Sequence, residues 1–171
     1  FKIVELLKSK NILKKINTKT EISLSSRNCN RSFYDKLNLK FDLAYGRLNY
    51  SKKLLISDDV VKCKGNVNLL EEFPLLSFDC SINSENKRDL LKKFNIDVKN
   101  DNKTFNLNAK GNLSILNQKI NFKDISLNEN YKASNEDLNY FKESFENILF
   151  NDDFVGIFNL NKIKEYILEI S

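Results

Sequence analysis

The sequence predicts an α+β fold that is rich in β-structure: a curved, mostly antiparallel sheet with bulges, a short crossover helix and C-terminal helices. Apolar and polar residues alternate through most of residues 19–130, as in strands with one buried face. Around residues 84–95 and 134–171 apolar residues instead recur at intervals of three and four, which is typical of helices. Consecutive strands can also be aligned so that their apolar sides agree, which favours one sheet.

The hairpin at residues 60–84 is the clearest element. Its first strand alternates apolar positions with lysine and asparagine, and its return strand alternates apolar positions with serine and aspartate. A turn near Glu71 and Glu72 aligns both apolar sides, whereas a slip of one residue would expose one of them to water. The predicted facing pairs are Val61–Ile82, Cys63–Cys80 and Val67–Leu76.

Before this hairpin, residues 1–18 carry an apolar stripe at helical spacing and predict an N-terminal helix. From Lys19 the spacing is that of strands, with a long alternation from Leu37 to Tyr45. The apolar positions change from odd to even numbers at Gly46. Because glycine tolerates positive φ, this phase change predicts a β-bulge.

After the hairpin, Ser84 is predicted to cap a helix over about 84–95. Two further strands follow, joined by a turn near Asn117 and Gln118, with a second bulge at Lys123 and Asp124. Their predicted facing pairs are Ile115–Ile120 and Leu113–Phe122.

The C-terminal part, residues 134–171, is predicted to be helical. Ser134 followed by Asp137 resembles a capping box, and apolar residues at helical spacing follow it. Nothing divides the chain, so residues 1–171 predict a single domain. Since the sequence has no methionine and begins at Phe1, we expect a fragment of a longer chain, and an upstream membrane segment remains compatible with it.

Charge is distributed unevenly. Residues 1–64 carry 15 Lys or Arg against 6 Asp or Glu, and the remainder carries 13 against 17. A basic half is compatible with nucleic acid or anionic headgroups. The lysines alternate with apolar residues, however, so the pattern favours solvated strand faces, and no nucleic-acid partner is expected.

The residues that catalysis requires are missing. The chain has no histidine to act as a base and only four glycines, without a phosphate-binding loop or a dinucleotide fingerprint. We therefore expect no enzyme, no cofactor and no metal site. Cys63 and Cys80 face each other in the predicted hairpin, either as two small buried apolar residues, which the pattern favours, or as a disulfide.

Several segments resemble the C-terminal region of AsmA-like proteins of Gram-negative bacteria, in the form found in marine α-proteobacteria. The likeness rests on strand rhythm over 46–83 and 110–128, on Lys-Gly-Asn in two strands, and on a short helix before the Phe-Asn-Ile of 94–96. Residues 131–150 and the terminal helix resemble the end of the same region.

The resemblance implies an envelope protein on the periplasmic face of the inner membrane, anchored by a segment outside this chain. It implies an apolar sheet groove that handles or transports phospholipid, contacts with other envelope proteins, and a role in outer-membrane assembly. The alternative is a structural β-scaffold that acts through protein contacts, with its sheet covered by its own helices. The implied groove is lined by Val61, Cys63, Val67, Leu76, Phe78, Ile82, Phe105, Leu107, Leu113, Ile115, Ile120 and Phe122.

Overall fold

The computed structural model describes residues 9–26, 34–96, 103–128, 130–150 and 159–169. Across these residues, eight strands pair in chain order into one open antiparallel sheet. The predicted β-rich α+β class is confirmed. The strands are β1 Asn17–Ser25, β2 Lys36–Ala44, β3 Arg47–Ile56, β4 Asp59–Asn68, β5 Leu75–Ser84, β6 Phe105–Ser114, β7 Lys119–Leu127 and β8 Tyr131–Lys132. The helices are α1 Lys10–Leu13, α2 Lys87–Lys93, α3 Asn135–Leu149 and α4 Leu160–Glu169.

The N-terminal boundary differs from the expected helix over 1–18. Residues 1–8 lie outside the described residues, α1 is one short turn, and β1 already begins at Asn17. The amide of Tyr45 donates to the carbonyl of Ile16, which ties the residue before β1 to the turn after β2.

The phase change at Gly46 is a hairpin turn and not a bulge. Tyr45 and Gly46 have φ of 50° and 81°, and Ala44 pairs with Arg47 across them. Two consecutive residues of positive φ form the tight turn whose twist suits a hairpin. A two-residue turn moves one face from odd to even numbers, which explains the pattern that suggested a bulge.

The central hairpin has the predicted register. Val61 pairs with Ile82 and Cys63 with Cys80, and the β4–β5 ladder ends at Lys64–Asp79. Val67 and Leu76 lie beyond the ladder and pack in the same apolar cluster. Aligning the apolar sides of β4 and β5 was sufficient to predict this register, because each strand has only one apolar side.

The β6–β7 hairpin differs by two residues from its predicted register. Leu113 pairs with Ile120 and Gly111 with Phe122, so Ile115 lies in the turn and not opposite Ile120. A shift of two keeps the same face inside, and the apolar pattern therefore cannot tell the two registers apart. The bulge at Lys123 is confirmed, because Lys110 pairs with Asp124 and its neighbour Gly111 with Phe122.

Helix α2 lies in the connection between the antiparallel neighbours β5 and β6. Its N-cap is Asn86 and not Ser84: the Asn86 Oδ1 atom accepts from the amides of Arg88 and Asp89. Ser84 ends β5 and its hydroxyl accepts from the amide of Asn86. Asparagine and serine are both good caps, so the sequence offered two candidates two residues apart.

Helix α3 begins at the predicted capping box. The Ser134 hydroxyl accepts from the Asp137 amide at 3.2 Å, and the Asp137 carboxylate accepts from the Ser134 amide at 2.8 Å. The bond from the Ser134 backbone is the main reason that the pKa of Asp137 lies below its usual value. Its contribution to stability is therefore present above the unfolded-state pKa and is lost as the pH falls through the folded-state pKa.

Replacing Ser134 by alanine should lower the free energy of unfolding by about 1 kcal/mol at neutral pH, because the substitution removes the cap. Urea denaturation followed by circular dichroism measures this change. Ser134→Thr keeps the hydroxyl and is the matched control, for which we expect most of the stability to be retained. Equal stability of Ser134→Ala and the wild type would contradict a stabilising cap.

Candidate functional site

The sheet has one apolar and one polar face. Because partners across an antiparallel ladder point to the same side, the register assigns every strand residue to a face. Leu39 pairs with Lys52 and Ile22, Lys52 with Cys63, and Cys63 with Cys80, so these positions share one side. On the other side, lysines pair with carboxylates: Lys40 Nζ lies 3.0 Å from Glu21 Oε1, for example.

Three apolar clusters cover parts of the apolar face. We name them after the helix that contributes to each or lies beside it. The α1 cluster contains Leu13, Leu43, Leu48, Val67, Leu69, Leu70, Leu76 and Ile115. The α2 cluster contains Tyr34, Leu37, Leu54, Ile56, Val61, Ile82, Leu90, Phe94 and Phe105. The α3 cluster contains Leu76, Phe78, Leu113, Ile120, Phe122, Phe145 and Phe150.

The predicted groove residues do not form one open track. Those on strands share the apolar face, but all of the predicted set except Cys63 and Leu107 belong to the three clusters. Phe78 and Phe122 lie on the same side, with ring centroids 5.8 Å apart, and both keep part of their surface exposed. Phe145 of α3 packs edge-on against Phe122 at 5.9 Å. The chain's own helices therefore cover much of this half of the sheet.

Helix α4 extends the cover. The Tyr166 ring packs against Phe145 at 5.4 Å, and the Lys164 ammonium donates to the Asn95 carbonyl at 2.7 Å. The helix thus connects α3 to the residues that follow α2. Burial raises the pKa of the Tyr166 phenol, in keeping with a packed position.

The apolar face of β1 to β3 is open between the α1 and α2 clusters. Every residue of β1 is exposed, and Ile22 and Leu24 keep 40% and 46% of their surface accessible. Beside them, Leu39, Phe41 and Tyr50 are half-buried and lie outside the three clusters. We call the residues Ile22, Leu24, Leu39, Phe41, Tyr50 and Lys52 the open strip. From β1 to β3, with strands about 4.8 Å apart, the strip is about 10 Å wide.

An alternation of rings and glycines borders this strip. Two runs of cross-strand partners form it: Phe41, Tyr50 and Gly65 on β2 to β4, and Phe78, Gly111 and Phe122 on β5 to β7. A Cβ atom on Gly65 would lie 2.7 Å from the Tyr50 ring, and one on Gly111 would lie 2.6 Å from the Phe78 ring. The rings of Tyr50 and Phe78 thus occupy the space where a side chain at Gly65 or Gly111 would lie.

The neighbouring row has small residues at its centre. It reads Ile22, Leu39, Lys52, Cys63, Cys80 and Ala109. The structure joins Cys63 and Cys80 by a disulfide, the second of the two interpretations that the sequence left open. The small residues Cys63, Cys80 and Ala109, each partly buried, form a shallow floor between the α1 and α2 clusters.

Sequence reasoning missed the open strip because the implied groove was placed on the central strands. A signal was present. The even positions of β3 are Leu48, Tyr50, Lys52, Leu54 and Ile56, and one lysine interrupts an otherwise apolar series. Packing would favour an apolar residue at this position. A lysine on an otherwise apolar strand face therefore indicates that something other than packing selects the residue.

Among the described residues, no group of three or more His, Cys, Asp or Glu side chains is placed to hold a metal ion. No helix in this part of the chain combines the length and apolar character needed to cross a bilayer.

Fold and site together define an open, single antiparallel sheet with an apolar face that helices cover in part. No protein-family model, curated protein or solved structure matches the chain.

Proposed function

We propose that this domain binds the acyl chains of lipids along the open strip, as a non-enzymatic envelope protein of the AsmA-like kind. One observation carries the proposal: contiguous apolar side chains from β1 to β3 remain accessible on a face whose other apolar residues mostly pack in the three clusters. An exposed apolar patch of this kind marks an interaction site more often than a passive surface.

The dimensions suit part of an acyl chain. The strip is about 10 Å wide from β1 to β3, about two thirds of the 15 Å that one leaflet contributes to the hydrocarbon core of a bilayer. The α1 and α2 clusters lie on its two sides, and the small residues at Gly65, Cys63 and Cys80 lower its floor. Binding and shielding an acyl chain requires this apolar surface and no reactive group, which fits a role in phospholipid handling.

The cellular setting follows from the resemblance alone. We propose that the domain works at the periplasmic face of the inner membrane, held there by a segment outside this chain, and contributes to phospholipid transport or outer-membrane assembly. Other envelope proteins are the expected partners. The Cys63–Cys80 disulfide supports this setting, since disulfides persist in the bacterial periplasm and are rare in the cytosol.

A structural β-scaffold is the second candidate. The observation in its favour is that α1, α2 and α3 cover most of the residues first assigned to the groove. A scaffold would use its exposed strand β1 for protein contacts. The two candidates differ in whether the open strip binds a free amphiphile.

Monopalmitoylglycerol, an uncharged single-chain lipid, tests the first candidate by calorimetry below its aggregation concentration. We expect saturable binding by the wild type and about tenfold weaker binding by the double variant Ile22→Gln/Leu24→Gln. Each side chain loses roughly 0.7 kcal/mol of further apolar burial, and about 1.4 kcal/mol is a factor of ten. Circular dichroism controls for folding.

Leu75→Gln is the matched control. Leu75 is 48% exposed, similar to Leu24, but it lies on the polar face of β5. The affinity of Leu75→Gln for monopalmitoylglycerol should equal that of the wild type. Absence of binding by the folded wild type would overturn the acyl-chain proposal, and an equal loss in both variants would show that the lipid adheres without using the strip.

A further inference from the structure

Lys52 is an unusual residue of the open strip. Its cross-strand partners are Leu39 and Cys63, and Tyr50 and Leu54 precede and follow it on the same side of β3. On the apolar side of the described strands β1 to β7, the register places one other charged residue, Asp59. That carboxylate is buried at the start of β4, four positions along the ladder from the Lys52–Cys63 pair.

Several lysines of the polar face differ from Lys52 in having acidic neighbours. Lys64 and Lys110 lie 3.9 Å and 3.6 Å from Asp79, and Lys19 lies 3.5 Å from Asp42. The Lys52 ammonium, in contrast, has neither a hydrogen bond nor an ion pair within the described residues. Within the part of the chain that the structure describes, no carboxylate compensates this cation.

The surroundings disfavour this charge in the free protein. Lys52 is exposed, but contact with its apolar neighbours removes part of the hydration of the ammonium and lowers its pKa. Charge in poorly hydrated surroundings is destabilised unless an opposite charge compensates it. An anion bound beside Lys52 would supply that compensation, and a charge-assisted hydrogen bond in such surroundings is stronger than a neutral one.

We infer that Lys52 binds the acidic headgroup, a phosphate or a carboxylate, of an amphiphile whose acyl chain lies on the open strip. The long side chain lets the ammonium reach the edge of the apolar surface while its methylene groups remain on it. This inference rests on the proposed function, because the headgroup contact requires the chain to occupy the strip. It adds the class of ligand: acidic single-chain or multi-chain lipids in preference to uncharged ones.

Two probes that differ only in the phosphate test the inference. Palmitoyl lysophosphatidic acid and monopalmitoylglycerol share one acyl chain and a glycerol. We expect the wild type to bind the phosphate-bearing probe about tenfold more tightly at physiological ionic strength, which is about 1.4 kcal/mol. Palmitate serves as the carboxylate probe, and inorganic phosphate as the probe without a chain.

The substitutions Lys52→Gln and Lys53→Gln form a matched pair. Both remove one positive charge from adjacent positions of β3, but Lys53 points to the polar face, where it pairs with Asn38 and Lys62. Lys52→Gln should abolish the preference, so that the acidic probes bind no more tightly than monopalmitoylglycerol does. Lys53→Gln should retain the preference.

The outcomes separate this inference from the function on which it rests. Equal binding of charged and uncharged probes by the wild type overturns the role of Lys52 and leaves the acyl-chain site intact. Equal effects of the two substitutions also overturn it, because they indicate general electrostatic attraction. Binding of inorganic phosphate as tight as that of the lipid excludes an amphiphile. Absence of binding by every lipid probe removes the proposed function itself.

Discussion

Replacing Gly65 by alanine should lower the free energy of unfolding by about 3 kcal/mol, at the upper end of what overpacking costs. A Cβ atom at Gly65 would lie 1.9 Å from the Ser77 carbonyl oxygen and 2.8 Å from its carbonyl carbon. Backbone atoms cannot rotate away as the end of a side chain does. We therefore expect β4 and β5 to separate locally.

Several bonds hold Ser77 in place. Its hydroxyl donates to the Asn66 carbonyl and accepts from the Asn66 amide, at 3.1 Å and 2.9 Å. Its own carbonyl accepts from the Tyr50 hydroxyl at 3.4 Å. Moving Ser77 to make room for a methyl group would break these contacts. Burial also raises the pKa of the Tyr50 phenol, so this donor remains protonated at neutral pH.

Urea denaturation of Gly65→Ala measures this effect. Asn66→Ala is the matched control, because it introduces alanine at the next position, on the exposed polar face, and leaves the backbone bonds to Ser77 available. We expect the control to change stability by less than about 0.5 kcal/mol. If Gly65→Ala also lost less than about 0.5 kcal/mol, β5 would be free to move away from β4. The short distance between Gly65 and the Ser77 carbonyl would then not be what requires glycine at this position.

Removing the Cys63–Cys80 disulfide should cost about 3 kcal/mol in stability. The two residues are 17 positions apart, and in the chain-entropy model a cross-link closing a loop of this size destabilises the unfolded state by about that amount. The double variant Cys63→Ala/Cys80→Ala and the reduced wild type should unfold at similar, lower urea concentrations.

Cys29→Ala supplies the control, since the chain has three cysteines and this variant leaves the pair intact. It should unfold like the wild type under oxidising conditions. Titration of thiols in denaturant without reductant provides an independent readout. One thiol per chain is expected, whereas three would exclude the bridge and restore the interpretation of two small buried residues.

The two experiments also bear on the candidate site. Both the Gly65–Ser77 contact and the disulfide lie between β4 and β5, beside the open strip. Loss of either should loosen the floor on which an acyl chain would lie. We therefore expect Gly65→Ala and Cys63→Ala/Cys80→Ala to bind monopalmitoylglycerol more weakly if β4 and β5 separate locally.

Much of the fold could be predicted because one-sided strands permit few pairings. Cys63 opposite Cys80 and the bulge at Lys123 both followed from aligning apolar sides. The hairpin after β6 was placed two residues out because that shift leaves the apolar side unchanged, and only the turn at 115–118 distinguishes the registers. Gly46 was read as a bulge because a tight turn and a bulge can produce the same phase change.

The site was less predictable. An apolar strand position looks the same in sequence whether a helix covers it or solvent reaches it. Phe122 lies beneath Phe145, whereas Phe41 lies outside all three clusters, and both occupy equivalent positions in alternating strands.

The order of residues by itself determined which side of each strand is apolar, because alternation is a local property of the chain. It also determined where α3 begins, because the Ser134–Asp137 cap involves residues close in sequence. Only the tertiary structure decided which part of the apolar face remains accessible. That depends on where α1, α2 and α3 pack, through contacts between residues far apart in the chain, and it leaves Lys52 on an uncovered surface.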